Sequence, residues 1–137
     1  MASPAEEGPA PVSHHDLVGR LADEMEIVLE TRAGPVGPRH ATIIWTVVVD
    51  DRAYVRTVNG PGSRWYREAL AQPDCAVIAA GERLPVAVMP VDDPATIDAV
   101  SAAYLTKYAG DPSTPLMVEF AVLPTTLELR PGVPFES

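Results

Sequence analysis

The sequence has little cysteine and histidine, and this shortage excludes several kinds of chemistry. Cys75 is the only cysteine among 137 residues, so no internal disulfide can form. It lies in the apolar run CAVIAA, where a small core residue is expected rather than a nucleophile. The three histidines, His14, His15 and His40, do not have the spacing of a zinc-binding helix. The sequence therefore predicts no metal site.

Long apolar runs and basic residues are also scarce. No apolar run approaches the about 20 residues needed to span a bilayer. The first residues, MASPAEEGPAP, lack the basic and apolar regions of a signal peptide. We therefore expect a cytoplasmic protein without a membrane partner. The formal net charge of −9 also argues against nucleic-acid binding, which requires a basic face.

What is present is typical of one globular domain. Hydrophobic residues make up 47% of the chain and charged residues 21%, which suits a domain of this length with its own core. The segment 1–12 consists mainly of Pro, Ala and Glu, and this composition predicts a disordered tail. We therefore expect a single domain over 13–131 and a short second tail over 132–137.

The hydrophobic pattern predicts a mainly β protein with two or three helices. Helices are expected to begin near Ser13, Ser63 and Pro94, where capping residues or proline precede apolar residues at helical spacing. Strands are predicted at 25–30, 41–49, 53–58, 75–80, 83–91, 117–123 and 126–130. The links between most strands are short, which favours antiparallel pairing and a barrel.

Two of these strand regions carry further expectations. The segment 41–49 is apolar on both faces, as in a barrel wall or an oligomer interface, and it forms a hairpin with the next strand. A turn at Gly81-Glu82 is expected to join the strands 75–80 and 83–91 in a second hairpin.

One segment concentrates positive charge in this acidic chain. Residues 52–67 contain four arginines and no acidic residue. Within it, NGPGSR places two flexible glycines before Ser63, which opens a helix, and before Arg64. Free backbone N–H groups at a helix start and an arginine favour a bound phosphate. The alternative is that Ser63 only caps the helix and that Arg64 and Arg67 form a solvated face.

Several stretches together resemble a known family. They run through most of the chain in order: LETR (29–32), TIIWTVVVDD (42–51), YVRTVNGPGSRWYREAL (54–70), AG (80–81), AAYLTKY (102–108) and TLELRP (126–131). The chain resembles the split β-barrel flavin and deazaflavin oxidoreductases, the superfamily of pyridoxamine 5′-phosphate oxidase. Within it, the chain is similar to the small bacterial proteins of the DUF2255 family.

This resemblance implies a fold, an assembly and a site. The fold is a six-stranded antiparallel split β-barrel, usually a homodimer, with FMN in a groove at the interface. The residues it places at the cofactor are Arg39, Thr42, Ile43, Trp45, Arg56, Thr57, Ser63, Arg64 and Trp65. Of these, Arg56 and Thr57 together with Ser63 and Arg64 are expected to hold the phosphate, in agreement with the anion site above.

The sequence also departs from the superfamily at two positions. Oxidases of this superfamily often carry a lysine in the first strand and a second basic residue after the Ser-Arg pair, where this chain has Val47 and Trp65. The basic residues that bind the substrate phosphate in pyridoxamine 5′-phosphate oxidase are missing as well, so that reaction is not expected.

Three functions remain open at this level. The first is an FMN-dependent oxidoreductase acting on a small organic molecule, in which the cofactor carries the hydride chemistry and no acid–base pair is required. The second is an F420-dependent reductase, which would need an extended basic groove for the anionic F420 tail. The third is a cofactor-free protein that binds a small molecule, or a non-redox catalyst, in the same groove. Trp45 and Trp65 either lie beside the ring of the cofactor or pack in the hydrophobic core.

Overall fold

The computed structural model describes residues 13–132, which form three α-helices and seven strands. The helices are α1 (His14–Ala22), α2 (Arg64–Ala71) and α3 (Pro94–Lys107). The strands are β1 (Ile27–Arg32), β2 (Arg39–Ile44), β3 (Thr46–Val49), β4 (Arg52–Val55), β5 (Asp74–Ala79), β6 (Glu82–Pro90) and β7 (Leu127–Pro131). Two short 3₁₀ helices, Thr114–Val118 and Phe120–Thr125, connect α3 to β7.

All seven strands belong to one antiparallel sheet with the order β2-β1-β5-β6-β7-β4-β3. The strands β2 and β3 are consecutive in sequence, yet they form the two opposite edges of this sheet. The sheet therefore curls into a half-barrel, and the predicted split-barrel fold is confirmed with seven strands instead of six. The predicted tail 1–12 lies outside the described residues, as does 133–137.

The predicted strand over 41–49 is wrong in one respect, because it is interrupted at Trp45. On one side of Trp45, β2 pairs with β1, and on the other side β3 pairs with β4. The Tyr108 hydroxyl, from the end of α3, accepts a hydrogen bond from the Thr46 backbone N–H at 3.2 Å. This side-chain contact satisfies the backbone where the chain passes from one edge of the sheet to the other.

The predicted strand over 117–123 is also wrong, because this segment forms the two 3₁₀ helices. Proline lies within each of them, at Pro115 and Pro124, and cannot donate a ladder hydrogen bond. The Met117 carbonyl accepts a hydrogen bond from the Arg56 side chain instead of a neighbouring strand. The segment consequently crosses the end of the barrel and leaves Phe120 87% exposed.

The remaining predicted elements form close to their expected positions. Ser13 caps α1 by accepting a hydrogen bond from the backbone of Asp16, and Asp93 caps α3 in the same way. The second hairpin turns at Ala80-Gly81, one residue earlier than expected, and both residues have positive φ. The helix α2 starts directly after Ser63, as predicted.

The core consists of two clusters that meet at the end of β2. The larger cluster lies inside the curled sheet and is closed by Leu17 and Leu21 of α1 and by Trp65 and Ala69 of α2. The smaller one lies beneath α3 and is formed by Val47, Tyr54, Val100, Tyr104, Tyr108 and Met117. No helix within residues 13–132 is long and apolar enough to cross a membrane.

Candidate functional site

A cavity of about 390 Å³ opens between the end of β2 and the loop that leads into α2. One wall is the chain from 42 to 45, and the opposite wall is the segment 56–59 that follows β4. Trp65 of α2 closes the cavity from a third side, and Ser113 and Leu116 border it near the first 3₁₀ helix. The cavity thus lies at the crossing point between the two edges of the sheet.

This cavity brings together most of the residues that the sequence singled out. Six of the nine predicted cofactor residues line it: Thr42, Ile43, Trp45, Arg56, Thr57 and Trp65. The other three, Arg39, Ser63 and Arg64, do not line it, although Ser63 lies directly behind Thr57. Their contact with a cofactor stays a prediction, as does that of the six.

Arg56 is fully buried, and most of its donors bind protein atoms. Its Nε donates to Thr126 Oγ1 at 2.8 Å, and Nη1 donates to Ser101 Oγ at 2.8 Å and to the Met117 carbonyl at 3.0 Å. Its Nη2 donates to the Ile97 carbonyl at 2.8 Å. Four of the five N–H groups of the guanidinium are thereby used. Arg56 links the end of β4 to α3 and to the 3₁₀ helix, and one of its N–H groups has no hydrogen-bond partner among the described residues.

The charge of Arg56 nevertheless makes the electrostatic potential of the cavity that it lines more positive. Burial lowers the pKa of its guanidinium, while Tyr104 and Asp98 raise it. The guanidinium carbon lies 5.7 Å from the centre of the Tyr104 ring. Since its hydrogen-bond acceptors are all uncharged, this cation contributes a positive potential to the cavity wall.

The start of α2 forms the second electropositive feature. Thr57 Oγ1 donates to Ser63 Oγ at 2.9 Å, so the cavity wall is tied to the first turn of the helix. Ser63 makes no side-chain cap bond, and the first turn of α2 contains no acidic residue. The Arg64 side chain is exposed at this turn. Backbone N–H groups, a serine hydroxyl and an arginine therefore lie together at the start of α2, directly behind Thr57 of the cavity wall.

Trp45 provides a flat aromatic wall. Its ring stacks on Tyr108 with the ring centres 4.0 Å apart and an angle of 3° between the planes. The Tyr108 hydroxyl in turn donates to the Met25 carbonyl at 2.6 Å, which fixes the ring under Trp45. Trp65 is only 6% exposed and belongs to the larger core cluster while it also lines the cavity.

A buried carboxylate lies next to this site, and the sequence analysis did not predict it. Glu68 of α2 is 8% exposed, whereas Leu70 of the same helix is 42% exposed. Glu68 Oε1 accepts a hydrogen bond from Thr31 Oγ1 at 2.8 Å, and Oε2 lies 2.9 Å from His40 Nδ1. The only available sequence signal was the three-residue spacing of Trp65 and Glu68, which places both on one helix face.

The balance of forces on Glu68 keeps it ionised. Burial raises the pKa of its carboxyl. The hydrogen bonds from Thr31 and His40, together with the charges of His40 and Arg64, lower that pKa by a larger amount, so the net shift is downward. By contrast, burial raises the pKa of the Cys75 thiol to about 12, which makes this cysteine a poor nucleophile. Within residues 13–132, no group of three or more His, Cys, Asp or Glu side chains is arranged to hold a metal ion.

The curled antiparallel sheet with a cavity at its crossing point places the chain in the class of split-barrel proteins. Within this class the chain belongs to the DUF2255 family, described as uncharacterised proteins conserved in bacteria, whose family model matches residues 18–129. No curated protein matches the sequence.

Solved structures agree with this fold at low sequence identity. A candidate pyridoxamine 5′-phosphate oxidase from Listeria innocua is 13% identical, with a TM-score of 0.58 over 90% of this chain and 94% of that one. HutZ, the heme storage protein from Vibrio cholerae, is 13% identical, with a TM-score of 0.62 over 82% and 84%. A reductase dependent on F420-H2 is 11% identical, with a TM-score of 0.60 over 78% and 95%.

Proposed function

We propose that the cavity binds FMN and that the chain is an FMN-dependent oxidoreductase acting on a small organic molecule. The observation that carries this proposal is the convergence of six predicted cofactor residues on one cavity with a flat aromatic wall. Planar cofactors of this kind occupy concave, mostly apolar sites with a few fixed polar groups.

The residues present fit the two ends of FMN in different ways. The Trp45 wall and the backbone of 42–45 suit the ring, and the start of α2 with Ser63 and Arg64 suits the phosphate. Arg56 has one N–H left, so its main contribution to the proposed site is charge. When bound, FMN would supply the hydride chemistry, while the chain holds the ring, orients it and excludes water.

F420 is the second candidate because a reductase dependent on F420-H2 shares the fold. Its glutamylated tail needs an extended basic surface. Near the cavity, the exposed basic residues of α2 are Arg64 and Arg67, and Arg67 Nε already donates to the Gly62 carbonyl at 3.2 Å. This short cluster favours the single phosphate of FMN over a polyanionic tail.

Heme is a weaker candidate, although HutZ shares the fold. None of the residues that line the cavity is a histidine, cysteine or tyrosine. Met117 is the one side chain there of a type that serves as an axial ligand of heme iron.

A second copy of the chain is proposed to complete the site. Three apolar side chains that line the cavity remain exposed: Ile43 at 65%, Val58 at 43% and Leu116 at 44%. Clustered exposed apolar residues mark interaction surfaces. A homodimer that covers this rim would shield a bound ring from water.

Tryptophan fluorescence offers a direct test, because both tryptophans of the chain line the cavity. The purified protein is titrated with FMN, riboflavin and F420, and each mixture is then desalted and its absorbance spectrum recorded. We expect FMN to quench the fluorescence and to be retained. A protein that binds neither FMN nor F420 would overturn the proposal and favour the cofactor-free alternative.

A matched pair of arginine variants tests the phosphate position. Arg64→Ala removes a charge-assisted contact and is expected to weaken FMN binding about tenfold, with riboflavin binding unchanged because riboflavin lacks the phosphate. Arg67→Ala removes an equal charge from the same helix and should change FMN binding less than about twofold, as expected for a solvated charge. Equal losses in both variants would place the phosphate elsewhere.

A further inference from the structure

The helix α2 buries a carboxylate and exposes a leucine, which is the reverse of what burial alone would favour. Glu68 is 8% exposed and Leu70 is 42% exposed, although they are two residues apart. Burying a charge is costly, and apolar replacements of buried ion pairs are often neutral or stabilising. Departures of this kind from local preference concentrate at functional sites.

The three side chains of this cluster are arranged in a defined order. Thr31 Oγ1 donates to Glu68 Oε1 at 2.8 Å, and His40 Nδ1 lies 2.9 Å from Glu68 Oε2. A carboxylate only accepts, so Nδ1 carries the proton of this bond. In the neutral ring Nε2 then carries the lone pair, and the side chain of His40 is 31% exposed.

We propose that His40 is a proton-transfer residue of the cavity and that Glu68, held by Thr31, is its positioning residue. This inference takes the identity of the cofactor from the proposed function, whereas the proton transfer itself does not depend on that function. It assigns an acid–base group to a site whose chemistry would otherwise rest on the cofactor alone.

Two elements bring this cluster close to the cavity, although none of its three side chains lines it. On β2, His40 and Thr42 point to the same face of the sheet, about 7 Å apart, and Thr42 lines the cavity. On α2, Glu68 lies one turn after Trp65, about 5–6 Å away, and Trp65 also lines the cavity. The histidine therefore lies one strand repeat away from the space in which a substrate would be bound.

The chemistry is a reversible proton transfer. The Nε2 lone pair takes the proton from an O–H or N–H group of a small alcohol or amine, and this bond breaks as the new N–H bond forms. The imidazolium keeps its Nδ1–H on Glu68, whose negative charge stabilises it. In the reverse direction the imidazolium returns the proton to the product.

The first test measures the nucleophilicity of His40 without any cofactor. Diethyl pyrocarbonate modifies neutral imidazole, and mass spectrometry follows His14, His15 and His40 separately at about pH 8, above the ordinary histidine pKa. We expect Glu68→Gln to slow the modification of His40 by roughly threefold or more, because a glutamine amide can donate to Nδ1 as well as accept from it, so that the ring no longer keeps its lone pair on Nε2. The rates of His14 and His15 serve as internal controls and should not change.

Whether the modification of His40 becomes slower or faster distinguishes a positioning role of Glu68 from a purely structural one. If Glu68 only held α2 against the sheet, its loss would loosen His40, and the modification would become faster. An unchanged or faster rate at His40 in a folded Glu68→Gln protein would overturn the proposal. Circular dichroism and the thermal midpoint of each variant establish that it is folded.

The second test uses the wild-type chain and needs no variant. FMN is added at a concentration that saturates the tryptophan quenching, and modification is repeated. Protection of His40, but not of His14 or His15, by at least about threefold would support its place at the cavity. FMN that binds without protecting His40 would overturn it. If FMN does not bind, the proposed function fails, and the first test alone decides between the two roles of Glu68.

Discussion

At the scale of single residues, Arg56 shows how a site residue can also be a structural one. Its four hydrogen bonds join three separate segments, and all their acceptors are uncharged. Removing the side chain would leave the Ser101 and Thr126 hydroxyls and two carbonyls without these donors. Because orphaned buried polar groups are costly, the stability of the fold should depend on this arginine.

We therefore predict that Arg56→Met lowers the free energy of unfolding by about 3 kcal/mol or more. The variant keeps most of the side-chain volume, so the loss reports mainly the hydrogen bonds and the charge. Urea unfolding followed by fluorescence gives the value. The exposed Arg64→Ala should change it by less than about 0.5 kcal/mol. A loss in Arg56→Met below about 1 kcal/mol would contradict this account of the residue.

Glu68 leads to a prediction about pH. The folded protein lowers the pKa of this carboxyl below its ordinary value of 4.5, since the hydrogen bonds from Thr31 and His40 and the nearby charges outweigh burial. A carboxyl whose pKa is lower in the folded than in the unfolded state stabilises the protein at pH values above its unfolded pKa. This contribution to stability disappears as the pH falls through the pKa of the folded state.

The unfolding free energy of the wild type minus that of Glu68→Gln should consequently be larger at about pH 6 than at about pH 3. Urea unfolding at both pH values measures the difference. Glu119→Gln, which changes an exposed carboxylate, is the matched control and should show a smaller change. A difference that does not vary with pH would mean that Glu68 is not held in its ionised form.

At the scale of elements, the turn between β5 and β6 is strained. Ala80 has a φ of 51° and Gly81 a φ of 80°, the left-handed pair that a two-residue hairpin loop requires. Alanine pays about 1 kcal/mol for this conformation, whereas asparagine tolerates it. In the turn before β4, Asp50 and Asp51 adopt the same left-handed region with φ of 50° and 61°, and aspartate is suited to it.

We expect Ala80→Asn, which creates the favoured Asn-Gly pair, to stabilise the protein by about 0.5–1 kcal/mol. Ala80→Val should do the opposite by at least about 1 kcal/mol, because a β-branched side chain fits a positive φ poorly. The side chain is exposed, so packing changes little in either variant. Thermal and urea unfolding of the pair would check the opposite signs, and a shared sign would argue against this turn geometry.

The elements that the sequence predicted correctly are those whose signals are local. The first helix follows from Ser13, and the hairpin around Asp50-Asp51 follows from β-branched runs on either side of a turn. The break at Trp45 had no such signal, because both faces of 41–49 are apolar. The segment 117–123 has strand-like composition, and its actual conformation depends on Arg56, which is distant in sequence.

The same distinction explains the candidate site. The residues of 42–45 and 56–65 are close in sequence within each group, so their motifs were visible, and the fold brought the two groups together. The contact of His40 with Glu68 joins residues 28 positions apart on different elements. A contact of this kind follows from the curl of the sheet and leaves no periodic pattern in the sequence.

At the scale of the whole molecule, one face of the domain carries a cluster of exposed apolar side chains. The edge strand β2 pairs with β1, and its last residues, 42–44, line the cavity. Ile43 on this strand is 65% exposed, next to the exposed Val58 and Leu116 across the cavity. In a monomer these apolar side chains would stay in contact with water, whereas in a dimer a second copy would bury them.

We predict that the wild-type chain forms a homodimer and that Ile43→Asp raises its dissociation constant at least about tenfold, since a charge would then be buried at the centre of the interface. Sedimentation equilibrium over a range of protein concentrations measures both constants. Leu105→Asp is the matched control, because Leu105 is also exposed, at 50%, but lies on α3 and does not line the cavity.

The same variants connect assembly with binding. If the partner covers the cavity, Ile43→Asp should weaken FMN binding together with dimerisation, and raising the protein concentration should restore both, because dimer and site form together. Leu105→Asp should leave both unchanged. A wild-type chain that remains monomeric at every concentration while it binds FMN would show that the rim serves the ligand alone, and the apolar side chains of Ile43, Val58 and Leu116 would then be its entrance rather than an interface.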